Sequence, residues 1–147
     1  KSSRPSTPRF FVVSSISTSL RREVSERAGG QCEYCLVHSR DTLLPHEPDH
    51  ILAEKHGGET VLDNLALACF HCNRHKGSDI SSVDPDTHRL TPLFNPRTQN
   101  WSYHFKLEGA EIVPLTPEGR VTVLILKLNH PERVRVRQVL IDIKQYP

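Results

Sequence analysis

Two Cys-x-x-Cys pairs, Cys32/Cys35 and Cys69/Cys72, bracket an adjacent acid and imidazole, Asp49-His50, in the stretch PDHILAEKHGG. Four cysteines permit three disulfide pairings, but two equal knuckles in a chain without an export signal point to a metal. A two-residue spacing lets both thiolates of a knuckle reach one tetrahedral zinc, each at about 2.3 Å. A redox site would need one pair at the end of a strand in a βαβ unit, and neither pair has that setting. Filled by four thiolates, the zinc has no open coordination position, so it is a staple and not a catalyst. His71, inside the second knuckle, could replace a cysteine only by distorting the loop and is left out of the ligand set.

Asp49 and His50 belong to other chemistry. Metal-assisted cleavage of a phosphodiester needs a cation on the phosphate, a base for the water and relief for the leaving oxygen. Imidazole titrates near neutrality and suits the base. Carboxylate and amide oxygens suit a hard cation such as Mg²⁺ or Mn²⁺. DH, followed by DN at 63–64 and CNRHKG at 72–77, supplies each of these groups. Adjacent residues of a regular strand face opposite ways, so Asp49 and His50 can cooperate only if the strand ends or bulges there.

The elements that must position these groups are short. STSLRREVSERAGG (17–30) reads as an amphipathic helix with Ser19 as N-cap, Leu20, Val24 and Ala28 on one face, and Gly29-Gly30 as its stop. Residues 36–48 are a polar connection. DHILA begins a strand, EKHGGET turns back, VLDNLALAC returns to the second knuckle, and CNRHKGS starts a helix. The order is knuckle, strand, loop, strand, knuckle, helix: a ββα unit pinned by zinc.

CEYC, DHILAEKHGGETVLDNLALAC and HCNRHKG together resemble the HNH endonuclease family in its zinc-stapled, four-cysteine form, over residues 19–78. The resemblance implies a ββα-metal core. It makes His50 the general base, Asp49 a ligand of the catalytic divalent ion, Asn64 a brace for the loop and Asn73 the second metal ligand. Asn73 stands where the family name expects His, and His75 is its rival for the ion. Lys76 and Arg74 would lie near the phosphate backbone. The resemblance also implies a DNA substrate held mainly by its phosphates. A zinc module that binds nucleic acid without cutting is the alternative, and it would have no use for Asp49 beside His50.

The 147 residues, 36% hydrophobic with eleven prolines, amount to one domain's worth of loop-rich α+β chain. We divide it into a flexible basic segment (1–16, with strand propensity over 10–16), the nuclease core (17–78) and a C-terminal extension packing on the core (79–147). In the extension, 79–101 reads as an irregular wrap and SYHFKLEGAEIVPL as a hairpin. Thr116 as N-cap and Pro117 at the first helical position favour a helix, with a strand as the alternative because of the β-branched residues that follow. HPERVRVRQVLIDIKQ reads as a last amphipathic helix with an arginine-bearing face. Trp101 and Phe105 should pack this extension down, while His38, His46, His88, His104 and His130 read as surface residues. Residues 1–31 carry six Lys/Arg against two acids, residues 119–147 the same ratio, and residues 32–63 seven acids against two bases. Basic flanks around an acidic centre fit a polyanion lying across a cation site. No apolar run is long enough for a membrane span and no secretory signal opens the chain, so a cytoplasmic protein is expected. The chain lacks an initiator Met, so a processed chain or one cut from a larger parent chain is expected; a defence complex is among the roles the sequence leaves open.

Overall fold

A computed structural model describes residues 16–147, so the expected basic segment and its strand propensity lie, Ile16 excepted, outside the described residues. Helix α1 (Thr18–Ala28) starts two residues before the sequence suggested: Ser17, not Ser19, is the N-cap, and the Leu20 amide donates to its hydroxyl at 3.1 Å. Gly29 ends the helix with φ +62°, in the left-handed region that glycine adopts at least cost. The inward stripe is the expected one. Val24 is buried with Leu65 and Leu67, and Leu20 and Ala28 pack at the rim.

The first knuckle folds back at Leu36, whose amide donates to Cys32 O at 3.0 Å. Strand β1 (Glu47–His50) then pairs antiparallel with β2 (Leu65–Ala68), with Asp49 opposite Ala66 and His50 opposite Leu65. Helix α2 (Phe70–Lys76) begins immediately after Cys69, which is its N-cap. The knuckle sulfur accepts from the Cys72 amide at 3.4 Å, so one residue serves as both helix cap and thiol donor. The ββα order expected from the sequence is therefore present.

Beyond α2 the chain has more structure than a hairpin plus a helix. The stretch read as an irregular wrap contains a hairpin, β3 (Ser81–Val83) with β4 (Leu90–Pro92). Asp84 explains it: fully buried, its carboxylate accepts from Thr87 Oγ1 at 2.8 Å and takes a two-pronged guanidinium contact from Arg120 at 2.9 Å on each arm. These strands show no alternating pattern, because a side-chain knot holds the turn. A single helical turn, α3 (Trp101–His104), leads into the expected hairpin, β5 (Phe105–Glu108) with β6 (Glu111–Pro114). Helix α4 (Pro117–Ile125) has the expected Thr116 cap with proline at its start.

Helix α5 (Pro131–Asp142) is oriented against expectation. Its arginines Arg133 and Arg137 point inward and are buried, while Val136, Val139 and Ile143 are exposed. Arg137 donates to Ala110 O at 2.7 Å and to Asn129 Oδ1 at 3.1 Å, and thereby holds α5 to the β5–β6 turn. Two of the histidines assigned to the surface are buried as well. His46 Nε2 lies 2.8 Å from Val37 O, and His104 Nδ1 lies 2.6 Å from Thr116 Oγ1. Trp101 and Phe105 do pack the extension onto the knuckle region, with the indole N–H donating to Tyr34 O at 2.9 Å. One hydrophobic core joins the cysteines to Phe94, Phe105, Ile112, Val121, Leu126, Leu128 and Leu140. No helix among the described residues is long and apolar enough to cross a membrane.

Candidate active site and metal centre

The four cysteine sulfurs lie within 4.8 Å of one another, and all four residues are buried. Cys35 Sγ and Cys69 Sγ are 3.7 Å apart. Four ligands at 2.3 Å from a tetrahedral zinc are separated by about 3.8 Å, so the cluster fits a structural zinc. The thiols alone are poorly housed, since burial pushes Cys32 and Cys72 well above the ordinary thiol range. A cation is the natural compensation. The protein supplies one of its own: Arg133 Nη2 lies 3.0 Å from Cys72 Sγ and 3.7 Å from Cys69 Sγ. Burial by itself would lower this guanidinium, but the charges of Cys72, Cys35 and Cys69 outweigh it and hold the group above its usual value.

On the far side of α2 a cleft of about 370 Å³ is lined by Asp49, His50, Glu54, Asn73 and Gly77, with Arg21 at its edge. Strand β1 ends at His50. That ending meets the condition set by strand geometry, because Asp49 and His50 both reach the cleft. Asn73 arrives from α2. His75 does not line the cleft; its ring stacks on His71 at 6.4 Å, and burial together with Lys127 and Arg133 pushes its pKa down. Of the two rival ligands, only Asn73 lines the cleft with Asp49.

Asp49 is buried, and Lys76 Nζ lies 3.0 Å from its Oδ2 as an ion pair that lacks hydrogen-bond alignment. Lys76 is itself 2% exposed and donates to His50 O at 2.9 Å. It therefore cannot face a phosphate from the surface, contrary to the sequence reading; Arg74 is exposed. The buried Tyr34 hydroxyl also faces this carboxylate. Burial pushes the Asp49 carboxyl up, and Lys76 only partly offsets it. The carboxylate of Asp49 and the side-chain amide of Asn73, lining one cleft, are oxygen donors of the kind that fit a hard divalent cation.

The loop between β1 and β2 is held by Asn64. Leu52 N donates to its Oδ1, and its Nδ2 donates to Leu52 O and Glu59 O, each at 2.9 Å. The glycine pair belongs to the same brace, since a Cβ on Gly58 would sit 1.7 Å from Leu52 O. Sequence reasoning missed two residues here. His50 Nε2 lies 2.9 Å from Thr60 Oγ1 and 3.5 Å from Glu54 Oε1. The spacing from His50 to Glu54, four residues, was the available signal; Thr60 gave none.

Residues 32–79 match the model of a family described as HNH endonuclease. Over this segment the chain is similar to HNH endonucleases. Over 121 residues the chain is also 26% identical to the Septu protein PtuB of Bacillus thuringiensis, covering 81% of this chain and 44% of that protein. The chain thus spans less than half the length of this relative. No solved structure matches it. The HNH segment contains both knuckles, Asp49, His50, Asn64, Asn73 and His75, while Arg133 lies outside it.

Proposed function

We propose that the chain is a metal-dependent HNH endonuclease that hydrolyses phosphodiester bonds in DNA. The observation that carries this reading is the convergence of Asp49, His50 and Asn73 on one open cleft. The His50 ring accepts a proton from the water that attacks phosphorus. Asp49 and Asn73 are the oxygen donors for Mg²⁺ or Mn²⁺, which when bound supplies positive charge to the phosphate and the departing 3′ oxygen. Cleavage leaves a 5′-phosphate end. Asn64 shapes the loop and takes no part in proton transfer. Arg21 at the cleft edge and the exposed Arg74 are placed for phosphate contacts, which position the substrate without reading its sequence. The cysteine cluster binds zinc and holds the knuckles against β2 and α2. The Septu name of the relative supports a role within a larger parent protein or a defence complex.

The Asp49–Lys76 ion pair also suits a protein in which Asp49 is only structural, in a zinc module that binds nucleic acid without cutting. Plasmid nicking separates the two readings. The wild-type protein should nick with Mg²⁺ or Mn²⁺ and not with chelator, while His50→Ala, folded and zinc-loaded, should lose at least about 100-fold. Asn73→Ala should raise the metal concentration needed for half-maximal rate, and His75→Ala should leave it within about threefold. A wild-type protein that does not nick ends the nuclease reading, full activity in the His50 variant removes His50 as the base, and a metal requirement that follows His75 reverses the ligand assignment.

A further inference from the structure

The nuclease reading leaves the state of the His50 ring open, and the loop beside it supplies an answer. Thr60 Oγ1 donates to Glu54 Oε1 at 3.0 Å, which uses the single hydroxyl proton. Thr60 Oγ1 is also 2.9 Å from His50 Nε2 and can only accept in that contact, so Nε2 carries the ring proton. We propose that Thr60 and Glu54 are positioning residues for His50: they fix the Nε2–H tautomer, orient the ring, and leave the Nδ1 lone pair as the base that faces the cleft.

The arrangement follows from the chain. Glu54 lies in a short 3-10 turn (Glu54–His56) one helical turn beyond His50. Thr60 returns to the same place because the chain reverses through Gly57, at φ +89°, and Gly58, which is packed against Leu52 O. Asn64 then ties both ends of this loop to Leu52. His50 is thus held from one side by its own backbone, through Lys76 donating to His50 O, and from the other by the Thr60 hydroxyl. The Glu54 carboxylate, 3.5 Å from Nε2, also places negative charge beside the imidazolium that forms once Nδ1 has taken the proton from water. The step balances: the water O–H bond breaks and its proton moves to Nδ1, while the hydroxide oxygen forms the new bond to phosphorus. The P–O3′ bond breaks as the 3′ oxygen leaves and takes up a proton from solvent water. Neither Thr60 nor Glu54 gains or loses a proton.

This inference rests on the nuclease reading for its kinetics but not for its spectroscopy. Long-range ¹H–¹⁵N correlation on the zinc-loaded full chain at about pH 8, where imidazole is neutral, reports the tautomer directly. The wild type should show His50 as Nε2–H. Thr60→Val should give a mixture of tautomers, Thr60→Ser should restore the wild-type pattern, and Glu54→Gln should shift the balance part-way. In steady-state nicking, Thr60→Val and Glu54→Gln should lower kcat by about tenfold or more with KM within about twofold, since the loss falls on proton transfer and not on binding. Thr60→Ser should recover most of the rate. A wild-type His50 protonated at Nδ1, or a Thr60→Val protein with unchanged tautomer and rate, overturns the proposal. If the tautomer behaves as stated but the wild type shows no metal-dependent nicking, the nuclease reading fails and the ring arrangement stands.

Discussion

Removing the buried guanidinium beside the cysteines gives a measurable separation between zinc affinity and general stability. Arg133→Met replaces a charged side chain with an apolar one of similar length, so little void is created. It deletes the contact to Cys72 Sγ at 3.0 Å and the bond to Leu126 O at 2.7 Å. Breaking a buried ion pair by removing one partner costs about 3–5 kcal/mol. Part of that cost falls on the metal-free protein, through the lost carbonyl bond, at about 1.5–3 kcal/mol for a charged donor. The remaining ~2 kcal/mol is assigned to the thiolate charge beside the guanidinium, which zinc binding completes by holding all four sulfurs as thiolates. That remainder corresponds to about a 30-fold loss of zinc affinity. Competition with a chromogenic chelator measures it, and Arg137→Met is the control. Arg137 is also buried on α5 but its hydrogen bonds go to Ala110 O and Asn129 Oδ1 and to no sulfur, so its loss should lower Tm and leave zinc affinity within about threefold. Equal zinc affinities for wild type and Arg133→Met would refute the argument, as would an equal loss in the Arg137 variant.

Two further expectations follow from single contacts. Gly58→Ala places a Cβ 1.7 Å from Leu52 O; the loop must shift, with about 1–3 kcal/mol lost in thermal unfolding and nicking activity abolished, whereas wild-type behaviour in both assays would show that the loop is not clamped there. The Asp84 carboxyl is held well below the usual carboxylate range, first by the Arg120 hydrogen bonds. A depressed folded-state value means that its contribution is present above about pH 4, the unfolded value, and is lost as pH falls below it. Urea unfolding of wild type against Arg120→Ala should therefore show a stability gap at neutral pH that narrows below about pH 4; a gap that widens in acid contradicts the assignment.

The features that were legible in the sequence are those fixed by local spacing. The two knuckles, the Asp49-His50 pair, the glycine reversal and the helix after the second knuckle all depend on residues within a few positions of one another. So does the Thr116-Pro117 helix start. What escaped notice depends on long-range partners. Lys76 reads as a surface lysine until Asp49, 27 positions earlier, is folded against it. The β3–β4 hairpin lacks an alternating pattern because Asp84 and Arg120, far apart in the chain, hold its turn. Arginines at 133 and 137 suggest a solvated helix face, since charge alone does not reveal that thiols and carbonyls wait to receive them. Thr60 carries no motif at all, and its contact to His50 exists only because the intervening loop closes.

Those long-range partners bear on how the cleft is maintained. The HNH segment ends at residue 79, yet the apolar side chains that cover its knuckles come mostly from Phe94 to Tyr146. Tyr146 donates to Cys35 O at 2.8 Å, Trp101 to Tyr34 O and Arg133 to Cys72, so three separate points of the extension hold the thiol cluster. A ββα unit of two four-residue strands and a seven-residue helix buries too little surface to hold such a cluster by itself. Tyr34 lies between the two cysteines of the first knuckle and faces Asp49, while Lys76 sits one turn beyond Cys72 and pairs with Asp49. Tyr34 and Lys76 thus join the thiol cluster to the Asp49 carboxylate through two buried side chains. The extension supplies none of the residues that line the cleft, and its contacts reach Asp49 only by way of the knuckles.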